Sequence, residues 1–575
     1  MVSPPKRGDR YITEFLYIYR YTTTNTSHEN LLKNLTPDKI QNFSDADTIL
    51  SLLGIIETQR AEIALLKQTV QELRDELNRV KGEQGKPKIR GNKGDSIDIS
   101  SERERKPDPA SPRKGRGEKK NKIPITKTVT CTIPNEELPN DAVFKGYDTV
   151  IVQNIKVVPD NIEFKVALYY SPSTGKTYRA KRPEGFEGEF GPDLRSLLLI
   201  LKHVANVSES CIHSFLSTYG CLISKSSISR LARRDARLFY KDKSEIVNSG
   251  LLSTNYQHID DTGARVNGVQ WYSHILCNPY FTAYFTRPHK DRLTILKILS
   301  CSEKLLFEFN DTALELLKTF KVPDKVFKHI IDSFDRKTMD EETIDSILNH
   351  LPTNNKNPDQ LYRRIKEAAA IGWYLTQNNV PIIQVLISDD APQFRHITSE
   401  HALCWIHAGR NLKKLNPLTH VFQQILEGKI QEFWALFRDI NEYKKNPGFF
   451  DPVLFEHRFD QLVSENTYYV ALNEVLDKIG ENKDKLLLVL KDPNIPLHNN
   501  PAELGARAQV RKRDVSLHTM TDDGTEAVDT FLTVVQTAKK LGVNIAEYIH
   551  ATLTNNVLEP LSKTIIKKAE SMNIR

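Results

Sequence analysis

Three acidic residues lie far apart in the chain, each in a context suited to holding a cation. They are Asp260 in YQHIDDTGARVNG, Asp389 in VLISDDAPQF and Glu503 in HNNPAELGAR. Carboxylate oxygens are the ligands that hard divalent ions prefer. Two such ions, roughly 3.5–4 Å apart, clamp the attacking and leaving oxygens of a phosphoryl transfer. Three converging carboxylates would therefore suit cutting and rejoining a phosphodiester strand. Each acid also has a structural alternative. Asp260 and Asp261 suit a turn before Gly263, and Asp389 and Asp390 suit a turn or cap before Ala391-Pro392. With Asn500 as N-cap and Pro501 at the first helical position, Glu503 falls at the capping-box position.

The elements that must position these acids follow from hydrophobic patterning. VPIIQVLIS is a nearly continuous apolar run, as in strands covered on both faces, and it ends at Asp389. A carboxylate just past such a strand sits where α/β sheets bind ligands. NYQHID predicts a strand ending at Asp260, VQWYSHILC a second, and FTAYFTR a third after the turn at Asn278-Pro279. A three-stranded meander, a helix, then a fourth strand beside the first is the order of an RNase H-like mixed sheet. We expect that core over about 250–550, with helical insertions at about 301–380 and 411–497, and a tail at 551–575.

Upstream, Ile49, Leu52, Ile56, Gln59, Ile63, Leu66, Val70, Leu73, Leu77 and Val80 follow alternating steps of three and four. This a/d seam predicts a coiled coil over 49–80, or else one amphipathic helix folded onto its own domain. Residues 81–122 hold fourteen Lys/Arg against seven Asp/Glu, which equals the whole net charge of +7. They read as a disordered basic linker that either contacts phosphate backbones or is simply solvated. Residues 1–48 carry no usable pattern, and 123–195 read as a small β-rich module. Within 196–245, helices at about 197–204 and 208–218, a turn at Tyr219-Gly220-Cys221 and a basic helix from Ser224 follow the helix-turn-helix plan. Lys225, Arg230, Arg233, Arg234 and Arg237 on that last helix are candidate DNA contacts, although an arginine-rich solvent face would look similar.

The six cysteines are scattered without a CxxC pair, which argues for reduced thiols and against a structural zinc site. No run approaches the ~18 apolar residues of a membrane span. The expectation is a multi-domain α/β protein, soluble and cytoplasmic, associated with the nucleoid.

Residues 250–550 resemble the insertion sequence sixty-six family of DDE transposases. The matching words are HIDDTGARVNG, SDDAPQF followed by CWIHAGRNLKKL, HNNPAELGAR and the tail TFLTVVQTAKKLGVNIAEYI. The resemblance implies a catalytic, metal-binding triad of Asp260, Asp389 and Glu503 with two Mg²⁺ or Mn²⁺ ions. Trp405, His407 and Arg410 match the family's Trp-x-His-x-x-Arg element. It implies binding of terminal inverted repeats and target DNA, as a homodimer or larger synaptic complex, with small accessory proteins as further partners. His407, Arg410, Arg507, Lys512 and Arg513 become additional candidate DNA contacts, Arg507 also as a partner for Glu503. Three positions depart from the family: Asp261 stands where Glu is common, Leu504 where Arg is common, and only Cys131 remains of a cysteine-rich module. The competing expectations are a catalytically silent DNA-binding descendant acting as a regulator and another RNase H-like nuclease.

Overall fold

A five-stranded mixed sheet is the frame on which the three candidate acids are mounted. The computed structural model describes residues 43–80, 123–139, 141–333, 337–351, 358–378, 381–417, 419–556 and 558–572. Most of the N-terminal segment (1–42) and all of the expected linker (81–122) lie outside them.

The heptad segment is one 38-residue helix, α1 (Phe43–Val80). Its foot is buried: Leu53 joins a helical core through Tyr469 and Leu472, and a Cβ on Gly54 would lie 2.7 Å from the Tyr468 carbonyl. On the seam itself, Leu52, Ile56, Ile63, Leu66, Val70, Leu73 and Leu77 are all exposed. The region expected to be β-rich contains one antiparallel hairpin, β1 (Leu168–Ser171) and β2 (Lys176–Arg179). The alternating stretches 126–133 and 149–158 form no strand, and their apolar residues Val129, Val150, Val152 and Ile155 are exposed. Alternation favours an extended chain, but a strand also needs a partner to take its hydrogen bonds.

Next come α2 (Pro192–Leu199), α3 (Glu209–Thr218), α4 (Lys225–Ala236) and α5 (Tyr240–Leu252). α2 starts five residues earlier than expected, at a proline suited to the first turn, and runs on through a wider π-type turn over Ile200–Val204. Ser208 and Ser224 cap α3 and α4 by accepting from Cys211 N–H and Ser227 N–H. Gly220, at φ +84°, makes the turn between them. Arg195 grips Asp235 with two hydrogen bonds of 2.8 and 2.9 Å, tying α2 to α4 in the interior.

The sheet holds β3 (Tyr256–Val266), β4 (Val269–Cys277), β5 (Thr282–Arg287), β6 (Val385–Ser388) and β7 (Glu400–Leu403), in the order β5-β4-β3-β6-β7. β3, β4 and β5 are antiparallel neighbours; β6 is parallel to β3, and β7 to β6. β3 does not end at Asp260. It continues six residues further, because Asn267-Gly268 (φ +48° and +77°) makes a two-residue turn that zips Val266 to Val269. Asp260 and Asp261 are thus strand residues, not turn residues.

One face of the sheet packs on α6 (Arg292–Leu299) and the first insertion: α7 (Asp311–Thr319), α8 (Asp324–Ser333), α9 (Glu341–Asn349) and α10 (Pro358–Thr376). β7 leads into α11 (Trp405–Lys413). The second insertion follows as α12 (His420–Lys445), α13 (Pro452–Ser464), α14 (Val470–Glu481) and α15 (Lys483–Leu486). The chain returns in α16 (Asn500–Ser516) and α17 (Asp522–Leu541), which cover the other face through Ala506, Val528 and Leu532 against Ile275 and Tyr284. α18 (Ile545–Leu553) and α19 (Leu561–Ser571) close the chain, α18 against α2 and α19 against α5.

Candidate active site

The parallel register of β3 and β6 brings the first two acids level. Tyr256 pairs with Val385 and His258 with Ile387, so two residues further on Asp260 stands beside Asp389. Adjacent strands lie about 4.8 Å apart. Asp389 lies just past the end of the wholly buried β6, the position its apolar run suggested. Its Oδ1 accepts from Ala391 N–H at 3.1 Å.

Glu503 reaches the same place from α16. A Cβ on Gly505 would sit 2.7 Å from Ile275 Cγ2, so only glycine lets the helix lie this close to the sheet. Tyr284 fixes it there by donating its hydroxyl to the Gly505 carbonyl at 3.0 Å. The start of α16 is pinned by Asn499, whose Nδ2 donates to the Ile259 carbonyl at 2.7 Å. Its Oδ1 lies 3.0 Å from His258 Nδ1, so that ring nitrogen donates. The helix therefore starts one residue earlier than expected: Asn499 occupies the N-cap, and Glu503 is out of capping-box register. The N–H that a capping box would satisfy donates instead to Cys404 Sγ, 3.2 Å away.

The three acids share one electrostatic environment. Asp260 is pushed up to about 7, first by burial and then by the charge of Asp389, with Asp261 and Glu503 adding to it. Burial also raises Asp389. Glu503 is flanked by Arg410, whose Nη2 is 3.4 Å from its Oε2, and by the His407 ring, whose Nδ1 is 3.9 Å from its Oε1. Asp261 points to the opposite side of the sheet, where it accepts from Gln393 Nε2 at 2.6 Å and lies 3.7 Å from Lys290.

Among the described residues, one group of donors closes to ion-sized spacing: Cys404 Sγ, a His407 ring nitrogen and a Glu503 oxygen lie within 4.8 Å of one another. Asp260 and Asp389 are not part of that group, although the charges of Asp389 and Glu503 both act on Asp260. Burial raises the Cys404 thiol to about 11, so it stays protonated at neutral pH. Beside Asp389 opens a cavity of about 530 Å³, walled by Asp390, His407, Asn411, Lys414, Lys478 and Asn482.

The remaining sequence candidates divide by surroundings. Trp405 is fully buried among Phe433, Phe437 and Phe459, with its indole donating to the Leu486 carbonyl, so it anchors the insertion. On α4 and just after it, Lys225 and Arg230 are exposed, whereas Arg234 pairs with Asp235 and Arg237 with Asp523. Arg233 is partly buried. Arg507 is exposed, Arg513 donates to the Gly263 carbonyl, and Lys512 is buried with its ammonium on the Lys202 carbonyl. The sequence reading missed Asn499 and Gly505, which hold Glu503 in place. The HNNP and ELG words carried the signal, but only as a helix start.

Comparison with known proteins bears on the same segments. Residues 377–527 match the family model described as "Transposase IS66 family", a span that includes Asp389, the Trp405–Arg410 element and Glu503. Over 327 residues the chain is 32% identical to "Uncharacterized protein y4jO" of Sinorhizobium fredii, covering 56% of this chain and 100% of that relative. No helix among the described residues is long and apolar enough to cross a membrane. With a relative matched over its full length and the family model lying across two of the three acids, the chain belongs to the IS66 transposase family, whose members are nucleic-acid-processing enzymes with DNA as their partner.

Proposed function

We propose that the protein is a DDE transposase that binds the ends of its element, cleaves strands and joins them to target DNA. The observation that carries this reading is the shared environment of Asp260, Asp389 and Glu503, in which each added negative charge raises Asp260 further. A buried, mutually repelling oxygen cluster costs stability unless a cation neutralises it. The donor set therefore fits Mg²⁺ or Mn²⁺, with Asp260, Asp389 and Glu503 as ligands. Such ions would supply an activated attacking oxygen and charge neutralisation at the leaving oxygen. The rest falls to the protein. Asn499 and Gly505 fix the carboxylate of Glu503 against β3, and Arg410, 3.4 Å away, orients it. Lys414 and Lys478, across the cavity from Asp389, provide countercharge for a phosphate backbone.

The strand order β5-β4-β3-β6-β7, with β3 central and antiparallel to β4, supports an RNase H-like core. α2 to α4 support a helix-turn-helix whose exposed Lys225 and Arg230 face DNA. The exposed apolar seam of α1 supports a coiled-coil homodimer, as a reaction on two element ends requires. Leu66→Lys with Leu73→Lys should convert a dimer to a monomer in sedimentation analysis; an unchanged mass would remove α1 as the contact. A silent regulator is disfavoured because the whole trio is retained, and a simple nuclease gives α1 no purpose.

The decisive experiment incubates the full chain with end-containing DNA and Mg²⁺ or Mn²⁺. Asp260→Asn, Asp389→Asn and Glu503→Gln should each lower cleavage by more than about a thousandfold, the several kcal/mol that metal-held charge stabilisation contributes. Wild-type rates in any one variant would remove that residue from the site.

A further inference from the structure

A second cavity, of about 520 Å³, lies where α2, α3 and α4 meet α16 and α17. Its walls carry Lys202, His203, Glu209, Arg233, Lys512 and His518. Its only acid among these, Glu209, is taken up by Lys202. The other polar groups are short of partners. His203 is 5% exposed and stacks on Phe531 with ring centroids 4.1 Å apart, and its Nε2 is buried with no hydrogen bond. Arg233 Nε is likewise buried and unpartnered. Lys512 is 3% exposed and donates to a backbone carbonyl, the carboxylate whose charge acts on it, Glu209, being paired with Lys202. Burial and the charge of Lys202 push its amine down to about 8.

Buried donors without acceptors are costly and rare in folded proteins. Here two of them, His203 Nε2 and Arg233 Nε, line one opening together with the Lys512 ammonium from α16, whose acceptor is a single backbone carbonyl. We infer that this cavity is a binding site for a single backbone phosphate of DNA, gripped jointly by Lys512, Arg233 and His203. Arginine and lysine are the usual phosphate partners, and a neutral imidazole N–H adds a donor without further charge. The DNA source is favoured over a free ion because Arg233 lies one helical turn from exposed Arg230, so the cavity continues the outer basic face of α4. The inference rests on the helix-turn-helix reading and is independent of the acid site. Lys512 follows Glu503 by nine residues, about half a turn out of phase, so cavity and acids lie on opposite sides of α16.

The test uses the full chain and a labelled end-containing duplex, with affinity measured across a salt series. Arg233→Gln and Lys512→Met should each lose about tenfold in affinity and lower the log–log salt slope by about one, as expected for one lost phosphate contact. A parallel titration with inorganic phosphate should raise the melting temperature of wild type and leave both variants unmoved. A wild-type slope in folded Arg233→Gln together with wild-type affinity in folded His203→Phe would overturn the site, and these two decide the matter if Lys512→Met fails to fold. Loss of the phosphate effect with duplex binding intact would overturn the DNA source in favour of a free ion. Asp389→Asn, read by cleavage, tests the acid site separately.

Discussion

The two ends of α16 carry opposite charges into opposite surroundings. In its first turn Glu503 joins Asp260 and Asp389 in a cluster with too many carboxylates. In its last turns Lys512 joins Arg233 and His203 in a cavity with too few acceptors. Both placements suit the helix dipole, which favours anions at the N-terminus and cations at the C-terminus. Neither end is balanced within the protein. Asp529 shows what balance looks like: more deeply buried than the three acids, it accepts from Thr286 N–H at 2.6 Å and from the Thr286 hydroxyl at 2.9 Å. A buried charge with its hydrogen bonds complete is architecture. A buried charge that is crowded by its own kind or only thinly bonded suits a ligand of the opposite sign, and α16 carries one kind at each end.

The largest expected effect on this contrast comes from unpinning the acid end. Asn499→Ala leaves His258 Nδ1 and the Ile259 carbonyl buried without partners. At about 1–3 kcal/mol for each orphaned group, the loss should be about 2–6 kcal/mol in chemical unfolding. Cleavage should fall as well, because Glu503 is aimed by the same residue. A stability loss under about 1 kcal/mol would show that Gly505 and Tyr284 alone set the helix.

The role of Asn499 also marks how far sequence reading could go. Asp389 was legible because one local rule, an apolar run ending in an acid, gives both the strand and the place of its carboxylate. The helices of both insertions were legible from periodicity for the same reason. Asp260 was half legible. NYQHID shows its strand, but the strand's end depends on the two-residue turn Asn267-Gly268, which acts only once β4 pairs across it. Glu503 was the least legible by local chemistry. Asparagine before Pro-Ala-Glu reads as a cap, and nothing local says that its amide will cross to β3, 240 residues earlier. The β-rich module failed for a related reason: patterning reports that a segment can be a strand, not that a partner is present. The second cavity was invisible because its donors come from residues 203, 233 and 512, brought together only by the fold.

A smaller effect tests whether acid crowding costs stability. Asp260 has an ordinary value of 3.8 and about 7 in the metal-free fold. Between those values the folded protein holds a proton that the unfolded chain has released. Stability from this group is therefore full below about pH 4 and is lost as pH rises through about 7. Asp389→Asn removes the charge that, after burial, contributes most to the shift. In EDTA the variant should be more stable than wild type by on the order of 1 kcal/mol at pH 8, about one pKa unit. The gap should close toward pH 4. Added Mg²⁺ should reverse the order, since only wild type offers the full carboxylate set. A gap that did not change with pH would mean that the acids do not feel one another.

The smallest effect concerns the other end of the helix and runs with the opposite pH sense. Lys512 has an ordinary value of 10.5 and about 8 in the fold, so the folded state sheds a proton that the unfolded chain keeps. Its contribution to stability is present above about pH 10.5 and is lost as pH falls toward about 8, below which the cost of burying the ammonium is constant. Lys512→Met keeps most of the side-chain volume and removes that charge. It should therefore melt slightly higher than wild type at pH 7, and the advantage should shrink toward pH 10.5. Inorganic phosphate should narrow the pH 7 difference by stabilising wild type alone. A variant less stable than wild type at neutral pH would show that the hydrogen bond to the Lys202 carbonyl outweighs the burial of charge. The basic end of α16 would then be balanced architecture like Asp529, and the contrast between its two ends would reduce to the acid cluster.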